Sequence, residues 1–355
     1  MSHFTVLVIG NDIEKQLAPF QENNMGDCPK EYMAFNNVEE EHRPEWETGT
    51  FDRIRLVDGK LVEVNDESLY RPATEEEIAI FNGKDRKAQE ALAYRRTGWG
   101  PDEKYSVFQL PEGAERVQIP RKQEFETFEA YMEDYCGYEK DGEQGAFGYW
   151  ENPNRKWDWY QVGGRWSGMF KLKEGAAGEL GKRSLLDRGE DTRAIERRAD
   201  QAKKGDVDFA GMRDERGQQA GERWDKVHAI IAGRPIPLWK EILERHGPAN
   251  IESARTEYYS NPVVQDINKA HDEIGWIDSI ADYAGTREEY VQAARDAAGC
   301  TFAVLKDGKW YERGSMGWWG VVADETERDD WNRQFAALID GLPDDTLLSV
   351  VDCHI

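Results

Sequence analysis

The sequence predicts an α+β fold, with a mixed or mainly antiparallel sheet, helices on one face and a largely helical insertion. β-Branched apolar runs at 4–9 and 347–351, near both ends of the chain, are typical of buried strands. Asp-Gly pairs at 58–59 and 307–308 each separate two short apolar runs, which predicts two hairpins with type I′ turns. Between about 174 and 300 the chain is charged and rich in alanine, a composition that favours helices.

These observations divide the chain into three predicted parts. Residues 1–173 form the N-terminal part of the α+β core and carry acidic loops. Residues 174–300 form the helical, charged insertion, and residues 301–355 complete the core with a hairpin, a strand, a helix and a strand. The order of elements in residues 301–355 resembles a split β-α-β unit, a common topology that carries no function by itself.

Several helix boundaries can be predicted from capping residues. Thr74 precedes three glutamates, and Thr286 stands three residues before Glu289, as the first residue of a capping box does. Pro237 is typical of a first helical position. Apolar residues at helical spacing predict an amphipathic helix over 124–136.

The chain is strongly acidic, since 70 Asp and Glu residues outweigh 46 Lys and Arg for a formal net charge of −24. That balance argues against binding to a nucleic-acid backbone, which needs a basic surface. It allows a small anionic ligand in a local basic pocket, and it also allows an acidic surface that mimics nucleic acid. The 13 Trp, 14 Tyr and 13 Phe residues argue against disorder, because disordered chains lack the aromatic residues that offset chain entropy.

Location and cofactor use are predicted from motifs that the sequence lacks. No apolar stretch approaches 18 residues, and the first apolar run lacks the basic residues of a signal peptide. Four separated cysteines without a CxxC motif are typical of reduced thiols. We therefore expect a cytoplasmic protein that does not act at a membrane, with homo-oligomerisation left open. Without a P-loop, GxGxxG, HExxH or GxSxG motif, the sequence predicts neither a cofactor nor a metal.

The most distinctive segment is WDWYQVGGRW at 157–166. If 157–162 is a strand, alternate residues beginning with the first tryptophan project to one side. The two glycines let the backbone turn or approach a ligand closely, aromatic rings stack on bases, and a guanidinium pairs with phosphate. The predicted ligand-binding residues here are Trp157, Trp159, Tyr160, Gly163, Gly164, Arg165 and Trp166. The alternative is an aromatic core in which Arg165 pairs with an interior acid.

A second segment, RGSMGWWG at 313–320, has a similar composition of glycine, paired tryptophan and one arginine. We predict that Arg313, Trp318 and Trp319 form a facing wall of the same pocket. The alternative is a hairpin exit that is packed by aromatic side chains.

The two ends of the chain carry a third candidate. If the first and last strands are neighbours, His3 falls near His354 or Asp352, and a His/Asp or His/Cys metal site that includes Cys353 becomes available. The alternative is that these terminal histidines are exposed or simply hydrogen-bonded.

A fourth candidate is the loop region after the first strand, which contains Asp12, Glu22, Asp27 and Cys28. A reactive thiolate there would need a base or a positive field from elsewhere, because no histidine is close in sequence. No catalytic residue is assigned from the sequence.

The opening SHFTVLVIG, which continues to LAPFQEN, and the segment NPNRKWDWYQVGGRW at 152–166 resemble a family of uncharacterised bacteriophage and prophage accessory proteins. The similarity covers the start and the middle of the chain. It implies a phage gene expressed in the cytoplasm of a bacterial host, and such genes often counter host defence. No activity and no catalytic residue follow from it.

Three hypotheses for function result. The first is a phage accessory protein that binds a small nucleotide-like ligand and sequesters a host immune signal. The second is a nucleotide-directed hydrolase or transferase, for which His3, Asp12, Asp27 and His354 are the available acid–base or metal-binding groups. The third is an acidic inhibitor that binds a host defence protein or mimics nucleic acid.

Overall fold

The computed structural model describes residues 2–83, 88–89, 92–97, 104–184, 189–277, 279–316, 322–323 and 328–355. The chain forms two compact units. Unit 1 comprises Met1–Met33 and Asn152–Ile355, and unit 2 comprises Ala34–Glu151. Both units contain strands and helices, and the sheets are mixed or antiparallel, so the predicted α+β class is confirmed.

The strands, in chain order, are β1 His3–Ile9, β2 Ala34–Asn37, β3 Thr50–Arg55, β4 Leu61–Glu63, β5 Tyr70–Pro72, β6 Tyr94–Thr97, β7 Lys104–Phe108, β8 Glu115–Pro120, β9 Gly148–Glu151, β10 Trp159–Gly164, β11 Phe170–Lys171, β12 Gly178–Glu179, β13 Lys182–Arg183, β14 Arg198–Ala199, β15 Gln201–Lys203, β16 Ala303–Lys306, β17 Lys309–Glu312, β18 Ser315–Met316, β19 Val322–Ala323 and β20 Leu347–His354.

The α-helices of the described residues are Ile13–Leu17, Glu39–Thr48, Glu75–Phe81, Arg121–Glu124, Phe128–Ala130, Phe209–Ile231, Trp239–His246, Ile251–Ser260, Pro262–Lys269, His271–Ile274, Arg287–Asp296 and Arg328–Asp340. Shorter helical turns are Ala18–Phe20, Lys30–Tyr32, Glu67–Leu69, Tyr131–Tyr135, Lys204–Asp206, Pro248–Asn250 and Ile280–Tyr283. In the part of the chain that the structure describes, no helix has the length and apolar character needed to cross a membrane.

The main sheet of unit 1 brings the two ends of the chain together. Its order is β12-β15-β20-β1-β16-β17. β15 and β10 both pair with the same edge of β20: β15 pairs with its N-terminal half and β10 with its C-terminal half. β1 is parallel to β16 and antiparallel to β20. His3 lies opposite His354, and Thr5 lies opposite Asp352. The first and last strands are therefore neighbours, which is the condition on which the chain-end candidate depends.

The two faces of this sheet follow from side-chain alternation along the strands. On the back face, Phe4, Val6 and Val8 of β1 pack with Val351 and Cys353 of β20. On the front face, the apolar residues are Leu7 and Ile9 of β1 and Leu348 and Val350 of β20. They join a core that also contains Phe335 of the helix Arg328–Asp340. At the other end of the front face the same alternation presents polar side chains.

The two predicted hairpins are present but use different turns. Asp307 and Gly308 have φ values of 53° and 72°, as a type I′ turn requires. At the first hairpin Gly59 has a φ of 84°, whereas Asp58 does not have a positive φ. The N–H of Gly59 donates to Leu56 O at 2.9 Å, so this glycine ends a wider turn, and the predicted type I′ geometry is wrong here.

Within the predicted helical stretch of 174–300, the α-helices begin at Phe209, and the described residues before it include the short strands β12 to β15. The long helix Phe209–Ile231 has Asp208 as its N-cap, and the Asp208 side chain accepts a hydrogen bond from the N–H of Gly211 at 2.9 Å. The predicted capping box of Thr286 and Glu289 is confirmed at the start of the helix Arg287–Asp296.

Unit 2 has small sheets around an aromatic core that includes Phe51, Phe128 and Phe147. The predicted N-cap at Thr74 is confirmed, since its side chain accepts from the N–H of Glu77. The predicted continuous helix over 124–136 is wrong, because one helix ends at Glu124 and another begins after a new N-cap and runs into a π-helical turn.

Candidate functional site

Polar side chains collect at the end of the front face, where β1 begins and β20 ends. The register places Trp159 of β10 opposite His354, and Gln161 opposite Asp352. His3 lies across from His354 on the other neighbour of β20. Because directly paired residues project to the same face, all five side chains share this end of the sheet.

Two histidine–aspartate pairs form the centre of this region, which we call the two-histidine cluster (His3, Asp352, His354 and Asp158). Nδ1 of His3 is 2.8 Å from Oδ1 of Asp352, and Nδ1 of His354 is 2.6 Å from Oδ1 of Asp158. The side chains of His3 and Asp352 are 12 % and 0 % exposed, and those of His354 and Asp158 are 5 % and 16 % exposed. The two imidazole rings meet edge to face, with their centroids 5.0 Å apart.

The Nε2 atoms of the two imidazoles are left unbonded by the residues that the structure describes. Within the described residues neither Nε2 has a hydrogen-bond partner, and neither is one of the buried side-chain atoms that lack a partner. Neither atom is therefore both fully enclosed and unpaired, although the rings are largely buried. A histidine whose Nδ1 is held by a carboxylate presents Nε2 for proton transfer.

Trp159 forms an aromatic surface beside the cluster. Its indole stacks on the ring of His354 with a centroid distance of 5.1 Å and an interplanar angle of 17°, and it meets the ring of His3 edge to face at 5.2 Å. The residue is 41 % exposed. Both imidazoles therefore contact the indole, and the rest of the indole surface is exposed to solvent.

The Gly-Gly turn lies against buried carboxylates. Gly163 and Gly164 have φ values of 85° and 61°, which side chains disfavour. A Cβ on Gly163 would stand 2.8 Å from Oδ2 of Asp200, and one on Gly164 would stand 2.2 Å from Oδ2 of Asp352. The sequence predicted that these glycines allow close approach to a ligand. In the structure the groups that approach closely are two aspartates.

Asp352 ties the cluster to the loop that follows the glycines. Besides His3, its carboxylate accepts a hydrogen bond from the backbone N–H of Arg165 at 2.9 Å, and the amide nitrogen of Gln161 lies 3.5 Å from it. A fully buried carboxylate needs such donors because an unpaired buried charge is costly.

Asp200 holds the other side of the same loop. Its buried carboxylate accepts hydrogen bonds from Ser167 Oγ at 2.6 Å and from the N–H groups of Gly168 and Gly181 at 2.5 and 2.7 Å. The guanidinium of Arg193 is 3.7 Å away. The two buried aspartates thereby fix the backbone of the loop 163–168 over the front face.

The side chain of Arg165 projects from this fixed loop. The residue is exposed, and its guanidinium makes no hydrogen bond or ion pair to the residues that the structure describes. Its backbone, not its side chain, meets the buried acid. Further basic residues are close by, since β13 runs beside the glycines and pairs Lys182 with Gly163 and Arg183 with Gly164.

The remaining aromatic residues of the segment are placed in apolar surroundings. Trp157 is 5 % exposed on the back face, its Nε1 donates to Leu17 O at 3.1 Å, and Tyr160 packs edge to face against it. Trp166 is half-buried against the front core and lines a separate surface cavity of about 390 Å³. The predicted strand over 157–162 starts only at Trp159, so the alternation that we assigned to Trp157 is wrong.

Of the predicted residues in the second segment, the structure describes Arg313 alone, and its contact with Phe302 lies on the back face. The guanidinium of Arg313 lies over the ring of Phe302, 5.6 Å from its centroid, and Phe302 packs against the back-face core. Arg165, by contrast, lies over Asp352 on the front face. Trp318 and Trp319 lie outside the described residues.

The loop candidate after β1 does not provide an activated thiol. Cys28 is buried, its Sγ donates to Gln21 O at 3.5 Å, and burial raises the pKa of its thiol. Asp27 accepts a hydrogen bond from the side chain of Gln21, and Asp12 precedes the helix Ile13–Leu17 with a φ of 57°. Within the described ranges, no group of three His, Cys, Asp or Glu side chains has the geometry of a metal site.

Two acids that matter to the site could not be predicted from the sequence pattern. Asp158 lies next to a tryptophan that we assigned to the opposite side, and Asp200 lies in a charged stretch without a motif. For Asp200 the local signal is the Gly-Gly pair, since a left-handed glycine such as Gly163 lets the backbone lie close to a buried carboxylate, whereas no local signal marks Asp158.

Comparisons with family models, with curated proteins and with solved structures gave no match to the chain. The function has to be inferred from the chemistry of the site.

Proposed function

We propose that the chain binds a small nucleotide-like ligand at the polar end of the front face. The observation that supports this best is the indole of Trp159, which is 41 % exposed and braced by a stacked imidazole. A rigid, exposed aromatic ring is a surface on which a base stacks, and such stacking contributes about 1–3 kcal/mol per base.

Phosphate recognition is assigned to the loop 163–168. Its backbone is held by Asp352 and Asp200, while the guanidinium of Arg165 is exposed. Arginine pairs with phosphate through two parallel N–H groups. Lys182 and Arg183, paired with the glycines, add positive charge in a chain whose net charge is −24.

The biological setting of the proposal comes from the resemblance to phage and prophage accessory proteins. We infer that the ligand is a nucleotide signal of the bacterial host and that the protein sequesters it in the host cytoplasm. The alternative of an acidic inhibitor of a host protein rests on the net charge alone, and it predicts partner binding that weakens steeply with salt.

Calorimetry tests the binding proposal. The full chain is titrated with ATP, 3′,5′-cyclic AMP and cyclic di-AMP, and at least one should bind at micromolar concentration. Trp159→Ala should then weaken that binding by about 5- to 150-fold, the equivalent of the stacking energy. Trp276→Ala is the matched control, because Trp276 is 71 % exposed elsewhere in unit 1.

A second pair of variants tests the phosphate assignment. Arg165→Ala should weaken binding, and the loss should shrink as salt rises. Arg255→Ala, an exposed arginine on the helix Ile251–Ser260, should leave binding unchanged. Folded protein that binds none of the three nucleotides at micromolar concentration refutes the proposed function.

A further inference from the structure

The two-histidine cluster has features that a ligand-binding surface alone does not require. Each imidazole is oriented through Nδ1 by a carboxylate, and no hydrogen bond from the described residues occupies either Nε2. The ring centroids are 5.0 Å apart, so two proton-transfer groups lie within reach of one small substrate. The exposed indole that we assign to base stacking contacts both rings.

Another histidine–carboxylate pair in unit 1 uses the opposite ring nitrogen. Nε2 of His246 lies 2.6 Å from Oε2 of Glu257, and Arg245 binds the other oxygen of the same carboxylate. There the Nε2 atom is used in the pair. In the two-histidine cluster the same atom is left for another partner on both rings.

We propose that His3 and His354 are a general acid–base pair that hydrolyses a phosphodiester bond of the nucleotide-like ligand. The inference rests on the proposed ligand site, since Trp159 and Arg165 hold the substrate there. Asp352 and Asp158 are positioning residues, because each acts through the ring that it orients.

The proposed step balances with water as the nucleophile. The water oxygen forms a new bond to phosphorus, and its proton passes to the neutral Nε2 of one histidine. The P–O bond to the leaving oxygen breaks, and that oxygen keeps the electron pair and takes a proton from the protonated Nε2 of the other histidine. The products are a phosphate monoester and an alcohol, and proton exchange with solvent restores both histidines.

The experiment uses the full chain with two probes. Bis(4-nitrophenyl) phosphate reports phosphodiester hydrolysis without any need for base stacking, and cyclic di-AMP is followed by mass spectrometry of the products. His3→Gln and His354→Gln should each lower kcat by about 10²- to 10⁴-fold, the usual range for loss of a general acid or base. His246→Gln, purified identically, should keep the full rate.

The pH–rate profile separates catalysis from a structural role. One histidine must be neutral and the other protonated, so the wild-type profile should be bell-shaped. Among the residues that the structure describes, the charged groups bonded to the two imidazoles are Asp352 on His3 and Asp158 on His354, and each imidazole also faces the other. Each Gln variant should lose one limb of the bell.

Each outcome supports or overturns a separate claim. Nucleotide binding without hydrolysis of either probe overturns the catalytic inference and leaves the proposed function standing. Histidine-dependent hydrolysis of bis(4-nitrophenyl) phosphate without nucleotide binding supports the acid–base roles of the two histidines, and it overturns both the proposed function and the assignment of a nucleotide-like substrate. Unchanged hydrolysis rates in both Gln variants overturn the inference. If a variant does not fold, a flat or monotonic pH–rate profile of the wild-type protein overturns it instead.

Discussion

Replacing Gly164 by alanine tests how the loop over the front face is held. Its φ of 61° lies in the left-handed region, where a side chain costs about 1–2 kcal/mol. The new Cβ would also stand 2.2 Å from Oδ2 of Asp352, so the carboxylate or the loop must move. The carboxylate would then lose donors such as the N–H of Arg165, and a buried acceptor without a partner costs about 1–3 kcal/mol.

The total predicted loss for Gly164→Ala is therefore about 2–5 kcal/mol in the free energy of unfolding. Urea denaturation followed by tryptophan fluorescence measures it. Gly175→Ala is the matched control, because Gly175 has a φ of 75° and no atom lies within 4 Å of the position that its Cβ would take. It should lose only the conformational part, about 1–2 kcal/mol. Equal losses at the two glycines would refute the role assigned to the buried carboxylate.

Three further predictions concern the core and the thiols. Trp157→Ala should lower the free energy of unfolding by about 3–5 kcal/mol in urea denaturation, because it removes a buried indole; a loss below about 1 kcal/mol would contradict its assignment to the core. Thr286→Ala should cost about 1 kcal/mol in the same assay, since it removes one half of a capping box. Burial raises the pKa of Cys300 to about 12 and that of Cys353 well above its usual value. Both thiols should therefore resist iodoacetamide at about pH 8 in the folded protein, as measured by mass spectrometry. Because an unfolded thiol loses its proton near pH 8.5, the stability that these raised pKa values contribute should be present below that pH and decline as pH rises towards 12.

The strands at the chain ends could be predicted because their pattern is local and strong. The β-branched run that became β1 and the apolar run that became β20 are buried on both faces for most of their length, so an unbroken apolar pattern was a sufficient signal. Their pairing followed from the need to bury both runs in one sheet. The pairing of His3 with His354 then depended only on register.

The site could be predicted only in part, because its contacts join residues that are far apart in the chain. The aromatic segment was the correct region, but Trp157 precedes the strand and packs on the back face, so alternation misassigned it. The contacts of Asp200 with Ser167 and Gly181 depend on how two loops fold over the sheet. No periodicity in the sequence specifies such contacts.

The division of the chain into two units has a consequence for how the protein can vary. The chain leaves unit 1 after Met33 and returns at Asn152, and the first and last strands of unit 2 pair with each other, Ala34 opposite Glu151. The return point is anchored, since the side-chain amide of Asn152 donates to the carbonyl oxygens of Pro19 and Gln21 at 2.9 Å. Unit 2 is thus an insert with adjacent ends, and it contributes no residue to the two-histidine cluster. An insert with adjacent ends can be shortened or lengthened without moving the strands that carry the two-histidine cluster.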